Sequence, residues 1–179
     1  LGASQVLYID NPDDPGYSAA FQAHQADILN FASAGGVVVM NDRFADGSFV
    51  VGFSHDAPGQ YSNTVDFIND TGVVADGAGG TLTDFSLDFK DASNHGVADI
   101  AALEDSEVFA ITTAFDPTKL VTMGEVTGQG LVIYSTIPTD YFLDGHPDPD
   151  MSAFAENLLQ YAVGLQAMAE VDTAVKSIG

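Results

Sequence analysis

The stretch ADILNFASAGGVVVMND, residues 26–42, decides the predicted fold. It completes an amphipathic segment that begins after Ser18, a residue suited to cap a helix, and ends at Gly35. The run VVVM (37–40) that follows is short and apolar throughout, which is typical of a strand buried on both faces. The run QVLYID (5–10) ahead of the helix also predicts a buried strand. Strand, helix and strand in this order predict a parallel βαβ unit.

The C-terminal half predicts strands joined by tight turns, followed by a helix. The runs VFAITTAF (108–115), LVTMGEV (120–126) and GLVIYSTI (130–137) are separated by the turn-forming sequences DPTK and TGQG. From 149 to 165 the apolar residues recur at helical spacing. Residues 166–179 are also compatible with a helix, and we predict that they extend this one or form a linker.

The middle of the chain, from 54 to 107, is rich in Gly, Asp, Asn and Ser and has only short apolar pieces, among them VDFI and the alternating TDFSLDF. It predicts irregular structure with short strands. A length of 179 residues suits one domain with a substantial core. The fold class is therefore α/β: a single domain over 1–165 with a mixed, largely parallel sheet flanked by helices and an irregular Gly/Asp-rich middle.

Charge is the strongest compositional feature of the chain. Asp and Glu number 26 against 4 Lys and Arg, which gives a formal net charge of -22. A polyanion of this kind is repelled by nucleic acids and by anionic lipid surfaces, so we expect neither as a partner. No apolar run approaches the roughly 20 residues that a membrane-spanning helix needs, so we expect no membrane insertion.

The chain contains no cysteine, which excludes disulfides, thiolate metal ligands and cysteine nucleophiles. An acidic, cysteine-free chain fits an extracellular bacterial protein that calcium stabilises instead of disulfides. Solubility in a salty or calcium-containing medium is the other explanation of the acid excess, and the two are not exclusive.

Acids collect where the predicted strands end. Because ligands of open α/β sheets bind beyond the carboxyl ends of parallel strands, a ligand-binding edge is predicted there. Its residues are Asp10, Asp42, Asp140 and His146. Short carboxylates in loops suit Ca²⁺, which takes oxygen ligands. The predicted calcium ligands are Asp13, Asp14, Asp46, Asp144 and Asp148. The alternative is that loops of an Asp-rich protein carry Asp everywhere.

Two stretches resemble a known family. ADILNFASAGGVVVMND is similar to the helix–Gly-Gly–strand step of class I glutamine amidotransferase-like domains, which have a flavodoxin-like architecture, and VTMGEVTGQGLVIYSTIPTDYFLDG is similar to their C-terminal strand pair. DGAGGTLTDFSLD and NHG also resemble modules of large secreted bacterial proteins with calcium-binding or adhesive repeats. The resemblance implies a flavodoxin-like fold in a secreted or surface protein.

The amidotransferase reaction itself is excluded. The family uses a cysteine nucleophile with a histidine base near the C-terminus, and this chain has only His146, Pro147 and Asp148 in a comparable place. Ser135 lies inside a predicted strand and in no G-x-S-x-G turn, so it is interpreted as a strand hydroxyl. Asp148 has a second interpretation as the cap of the helix that Pro149 begins.

Three functions stay open. The first is a non-enzymatic extracellular module for adhesion, ligand binding or assembly within a larger protein, with Ca²⁺ as its cofactor and a protein or carbohydrate surface as its partner. The second is a structural subunit that self-associates in a filament or surface layer. The third is a carbohydrate- or ester-directed hydrolase that uses Asp and His at the strand-end edge.

Overall fold

The computed structural model describes residues 6–11, 18–43, 55–67, 74–90, 93–99, 110–113 and 116–178. Within them the strands are β1 (Val6–Asn11), β2 (Val37–Asp42), β3 (His55–Ser62), β4 (Val65–Phe67), β5 (Asp76–Gly77), β6 (Gly80–Thr81), β7 (Asn94–Asp99), β8 (Ala110–Thr113), β9 (Asp116–Thr127) and β10 (Gly130–Ser135). The helices are α1 (Ala19–Ser33), α2 (Thr139–Leu143) and α3 (Pro149–Ile178).

The main sheet is mixed. Its strands run in the order β1-β2-β10-β9-β7-β3, and β8 joins β9 to β4. The pairs β1–β2 and β2–β10 are parallel, with Val6 and Leu131 both in register with Val37. The described pairings from β9 outward are antiparallel. The predicted α/β class with a mixed, helix-flanked sheet is confirmed, and its parallel part is β1, β2 and β10.

The side chains of β2 and β10 point alternately into two hydrophobic cores, one on each face of the sheet. One core lies between the sheet and α3, and it takes Val37, Val39, Leu131 and Ile133 from the strands. The other lies between the sheet and α1, and it takes Val38, Met40, Val132 and Tyr134. All six residues of β2 are buried, as the uninterrupted apolar run predicts for a strand covered on both faces.

The first helix begins and ends where the sequence predicts. The Ser18 hydroxyl accepts a hydrogen bond from the Phe21 amide at 3.1 Å, which satisfies one of the free N–H groups of the first turn. Gly35 has a φ of 102°, a left-handed conformation that glycine adopts without strain and that ends the helix. Its neighbour Gly36 accepts the Leu131 amide at 3.2 Å, which ties the end of α1 to β10.

The middle of the chain contains one segment whose alternation does not produce a strand. TDFSLDF (83–89) alternates like a strand, but these residues form consecutive turns, and only Leu87 of the three apolar residues is buried. The reason lies in the aspartates. Asp88 accepts the Val65 amide at 2.8 Å and Asp84 accepts the Phe67 amide at 3.0 Å. Two carboxylates therefore occupy the edge of β4 where backbone carbonyls of a further strand would pair.

The start of α3 is fixed by an ion-pair cluster. The Asp148 carboxylate accepts the backbone amides of Asp150 and Met151 at 3.0 Å each, so the capping interpretation of Asp148 is confirmed. Lys90 donates to Asp148 at 2.9 Å and to Asp150 at 3.0 Å, and it joins the turn region 83–90 to the helix. Burial raises the pKa of the Asp148 carboxyl, but the hydrogen bonds from Lys90 and the backbone outweigh burial and lower it overall.

Replacing Lys90 by Met is expected to lower the free energy of unfolding at pH 7 by about 1 kcal/mol, since the pair is only partly exposed. Because the folded pKa of Asp148 lies below its usual value of 3.8, the stabilisation is present above that pH and is lost as the pH falls below it. Urea unfolding at pH 7 and at pH 3 checks both statements: the difference between wild type and Lys90→Met should shrink at pH 3. Asp150→Asn, which removes the more exposed partner, serves as the comparison and should cost less.

Candidate functional site

A cavity lies at the carboxyl ends of the parallel strands, where the sequence predicts the ligand edge. Its volume is about 820 Å³, and it is enclosed by the ends of β1 and β2, by α2 with the loop after it, and by α3. The lining residues are Tyr8, Asp10, Asn41, Arg43, Thr139, Asp140, Tyr141, Leu143, Asp144, His146, Ala155, Leu158 and Leu159. A cleft of this size suits a small organic ligand, for which pockets of roughly 300 to 1,000 Å³ are usual.

Successive side chains of β2 point to opposite faces of the sheet, and this alternation decides which of them line the cavity. Asn41 continues the face of Val37 and Val39 and lines the cavity, whereas Asp42 continues the face of Val38 and Met40. Asp42 is fully buried and accepts a hydrogen bond from the Tyr134 hydroxyl at 2.7 Å. The structure therefore places Asp42 away from the cavity and puts its neighbour Asn41 there instead.

The cavity is also lined by a positively charged side chain, that of Arg43, which the sequence analysis did not identify. Arg43 follows β2 and donates from Nη1 to Oδ2 of Asp140 at 3.1 Å, and its guanidinium lies 4.9 Å from the ring centre of Tyr141. His146 stacks on the same tyrosine with ring centres 4.0 Å apart and planes 8° apart. A salt bridge and two ring contacts thus hold α2 and the following loop against the end of β2.

Two residues that line the cavity, Asn41 and Asp140, each have a buried side-chain oxygen that accepts no hydrogen bond from the described part of the chain. The Asn41 side chain is 1% exposed and donates through Nδ2 to Asp10 at 3.3 Å, while its Oδ1 has no donor. The Asp140 side chain is 10% exposed; its Oδ2 is bound by Arg43, and its Oδ1 has no donor. A buried acceptor without a donor is unfavourable by about 1 to 3 kcal/mol.

The pKa of the Tyr8 hydroxyl, which lines the cavity, is raised. Burial is the largest cause that raises the pKa of its hydroxyl, and the nearby charges of Asp10 and Asp140 raise it further, against the lowering effect of a hydrogen bond with Thr139. The tyrosine is therefore neutral at physiological pH.

The structure brings several predicted residues together and leaves others apart. Asp10, Asp140 and His146 of the predicted edge line one cavity, and Asp144, a predicted calcium ligand, lines it with them. Asp148 lies outside it, in the cap of α3. Asp13, Asp14 and Asp46 lie outside the described residues. Among the residues that the structure describes, no group of three or more His, Asp or Glu side chains is arranged to hold a metal ion.

The catalytic interpretation of His146 gains no support from its surroundings. The ring stacks on Tyr141, and within the described ranges it forms no hydrogen bond with a carboxylate. Ser135 is buried and exchanges a hydrogen bond with Thr122 at 2.8 Å, which confirms its interpretation as a strand hydroxyl. A general base must lie within hydrogen-bond reach of the group that it deprotonates. In the described part of the chain, His146 and Ser135 are not placed in that way towards each other or towards another candidate.

Apolar side chains continue from the cavity onto the surface of α3. Leu143, Leu159 and Val163 are exposed by 57%, 41% and 58%, and together with Ala155 they border a shallow depression beside the cavity mouth. No helix in the described part of the chain has both the length and the apolar composition needed to cross a bilayer.

Comparisons with protein-family models, with curated proteins and with solved structures give no match to this chain. The resemblance to amidotransferase-like domains therefore stays a prediction, and the functional argument depends on the geometry of the cavity.

Proposed function

We propose that this chain is a non-catalytic binding module that holds a carbohydrate in the carboxyl-edge cavity, as part of a larger extracellular or surface protein. One observation carries the proposal: the cavity at the carboxyl ends of the parallel strands combines polar side chains, among them Asp10, Asn41 and Arg43, with an apolar wall. Sugar hydroxyls donate and accept hydrogen bonds and so suit polar side chains of these kinds, and carbohydrate chains are common ligands on surfaces outside the cell.

The rest of the cavity supports the same ligand class. Arg43 and Thr139 offer donors for ring and hydroxyl oxygens, while Leu158 and Leu159 form an apolar wall for the C–H faces of a sugar ring. A polyanion does not attract sulfated or uronate-rich polysaccharides, so the proposal is restricted to neutral or basic carbohydrates.

The finer fold assignment belongs to this proposal. We infer a flavodoxin-like, amidotransferase-like domain that lacks the catalytic nucleophile. The parallel strands β1, β2 and β10, with α1 on one face and α3 on the other, support it. Extracellular location also belongs to this proposal, because the acid excess and the lack of cysteine fit a protein that calcium stabilises instead of disulfides.

An array of immobilised neutral and amino oligosaccharides tests the function. Wild type should be retained on at least one sugar, and the Asn41→Leu variant should lose that retention while its circular dichroism spectrum stays native. Asp27→Asn, an exposed change on α1 far from the cavity lining, is the matched control and should bind normally. Retention on no sugar, or equal retention of Asn41→Leu, would contradict the proposal.

Two further arms of this experiment address the other predictions. The sugars are recovered and analysed, because release of shortened products would favour the hydrolase with His146 at its edge. The binding is repeated in 5 mM Ca²⁺ and in EDTA, so the predicted calcium dependence appears as a difference between the two buffers.

Self-association through α3 is the second candidate, favoured by the exposed Leu143, Leu159 and Val163. Sedimentation velocity over a range of concentrations tests it. Growth of a dimer or larger species that Leu159→Asp abolishes would support a structural subunit, and a monomer at all concentrations would exclude it.

A further inference from the structure

We propose that the carboxyl-edge cavity and the depression beside it form one groove, which binds a linear chain of neutral β-1,4-linked glucose units instead of a single sugar. This inference rests on the proposed binding function and adds a second binding site, over α3, to the first one in the cavity. It is carried by exposed apolar side chains that the two spaces share and that a ligand reaches from solvent.

The cavity and the depression meet over the same side chains. Leu143, Ala155 and Leu159 line both of them. Leu143 and Leu159 are large apolar residues exposed by 57% and 41%, so a ligand in either space contacts them directly. The cavity, of about 820 Å³, is near the upper end of the range for one small organic ligand, and it continues into a depression of about 600 Å³. The continuous space therefore suits a ligand longer than one sugar.

The depression extends along one face of α3. The helix residues that line it recur at the three- and four-residue spacing of a single helix face, from Ser152 to Val163. At 1.5 Å per residue these two positions lie about 16 Å apart along the helix, which exceeds the length of a single pyranose ring. Val163, one turn beyond Leu159, is 58% exposed and lines the depression but not the cavity. A sugar chain that leaves the cavity over Leu159 therefore contacts Val163 next.

Tyr8 gives the cavity a flat apolar surface. It is 43% exposed, and it points to the same face of the sheet as Val6, which packs against the core between the sheet and α3. A hydrogen bond between its hydroxyl and Thr139 holds the ring in place. In a β-1,4-linked glucose unit the ring substituents are equatorial, so both faces of the sugar carry only C–H groups. Such a face packs against an aromatic ring, and we assign Tyr8 as the stacking residue of the first site.

The charges of the groove favour a neutral chain. In the cavity the guanidinium of Arg43 is paired with Asp140. Of the described residues that line the depression, Glu156 alone is charged. A uronate or sulfated chain is repelled by a protein of net charge -22. Exposed polar side chains, that of Asp144 in the cavity and that of Gln160 in the depression, suit the hydroxyl groups at the rims of the sugar rings.

Isothermal titration with β-1,4-linked glucose oligomers of two lengths, the dimer and the hexamer, tests the inference. Both have the same linkage and no charge, so only their length differs. The hexamer should bind wild type at least about 10-fold more tightly than the dimer, because it occupies the second site together with the first. A longer chain also has more registers in which to bind, so a variant of the second site decides whether the depression supplies the gain.

Val163→Asn changes the second site alone. It should weaken binding of the hexamer by about 5-fold or more and change binding of the dimer by less than about 2-fold, since an apolar contact with the distal sugar units is lost. Val126→Asn makes the same change at an exposed valine of β9 that lines neither space, and it should alter neither affinity. Both valines are more than half exposed, so the two variants are expected to fold.

Tyr8→Ala addresses the first site. It should weaken binding of the dimer and of the hexamer alike, by about 10-fold, because the stacking surface is removed. Tyr8→Phe keeps the ring and should stay within about 3-fold of wild type for both oligomers. A loss in Tyr8→Phe as large as that in Tyr8→Ala would assign the effect to the hydroxyl and Thr139, and it would overturn the stacking role. The length comparison on wild type remains decisive for the groove even if Tyr8→Ala fails to fold.

The outcomes separate this inference from the function on which it rests. Equal affinities for the two oligomers, or a hexamer affinity that Val163→Asn leaves unchanged, overturn the second site while the binding module stands. Retention of other sugars on the array without binding of either glucose oligomer overturns the ligand class. A protein dimer that Val163→Asn abolishes and the glucose hexamer does not dissociate assigns the depression to a second copy of the chain, and so overturns the groove. Failure of both oligomers together with every sugar on the array contradicts the binding function.

Discussion

Asn157→Leu is expected to lower the free energy of unfolding by about 3 to 5 kcal/mol. Asn157 is a fully buried residue of α3, and its amide group holds the β5–β6 hairpin against the helix. Its Nδ2 donates to the carbonyl oxygens of Val74 and Gly80 at 3.0 Å each, and its Oδ1 accepts the Gly79 amide at 2.8 Å. Leucine has a similar volume and forms none of these bonds, so it leaves the buried Val74 carbonyl and the less buried backbone groups of Gly79 and Gly80 without these partners.

Gln160→Leu provides the matched control for that change. Gln160 also lies on α3 and also accepts an amide of the same hairpin, that of Ala78 at 2.8 Å, but it does so at the surface. Water replaces an exposed partner, so the expected loss is below about 1 kcal/mol. Urea unfolding followed by circular dichroism measures both variants. A loss for Asn157→Leu no larger than that for Gln160→Leu would show that the hairpin is not held by this amide.

The βαβ unit could be predicted from the sequence because its determinants are local. Ser18 caps the helix, Gly35 ends it, and the apolar run 37–40 needs no distant partner to be recognised as a buried strand. The position of the cavity follows from the parallel pairing, because the predicted edge lies at the carboxyl ends of these strands, and Asp10 and Asp140 line the cavity there.

The choice between Asn41 and Asp42 could not be made from the sequence. A strand covered on one face has alternating apolar and polar residues, and this alternation shows which side chains point to which face of the sheet. Every residue of β2 is buried, so the pattern VVVMND contains no alternation that tells which side chain faces the cavity. As a charged residue at a strand end, Asp42 is the more prominent candidate in the sequence, but its neighbour Asn41 lines the cavity.

Other parts of the site depend on distant contacts. Arg43 lines the cavity and forms an ion pair with Asp140, which lies 97 residues away in the chain. No local sequence pattern indicates such a pair. The same holds for β3, whose partner β7 begins more than thirty residues later. In TDFSLDF the alternation is genuine, but Asp84 and Asp88 satisfy the edge of β4 by side-chain bonds, and the segment turns instead of extending.

Gly130→Ala is expected to destabilise the fold by about 3 kcal/mol, because the site admits no side chain. Gly130 begins β10 where the strand passes the end of α1, and an added Cβ would overlap the carbonyl oxygens of Gly36 and Ala32. Both atoms belong to the backbone, and Gly36 also accepts the Leu131 amide that joins helix and strand. The strand must therefore move away from the helix end, which weakens the α1 core.

Gly164→Ala makes the same chemical change with the opposite expected sign. Gly164 is an exposed residue of α3, and no atom lies within 4 Å of an added Cβ. Alanine favours the helix over glycine by about 0.8 to 1 kcal/mol, so this variant should unfold at a higher temperature than wild type. Thermal unfolding of both variants measures the contrast. If Gly130→Ala melts at or above the wild-type temperature, the close approach of β10 to the end of α1 is wrong, and with it the packing that sets the register of the parallel strands.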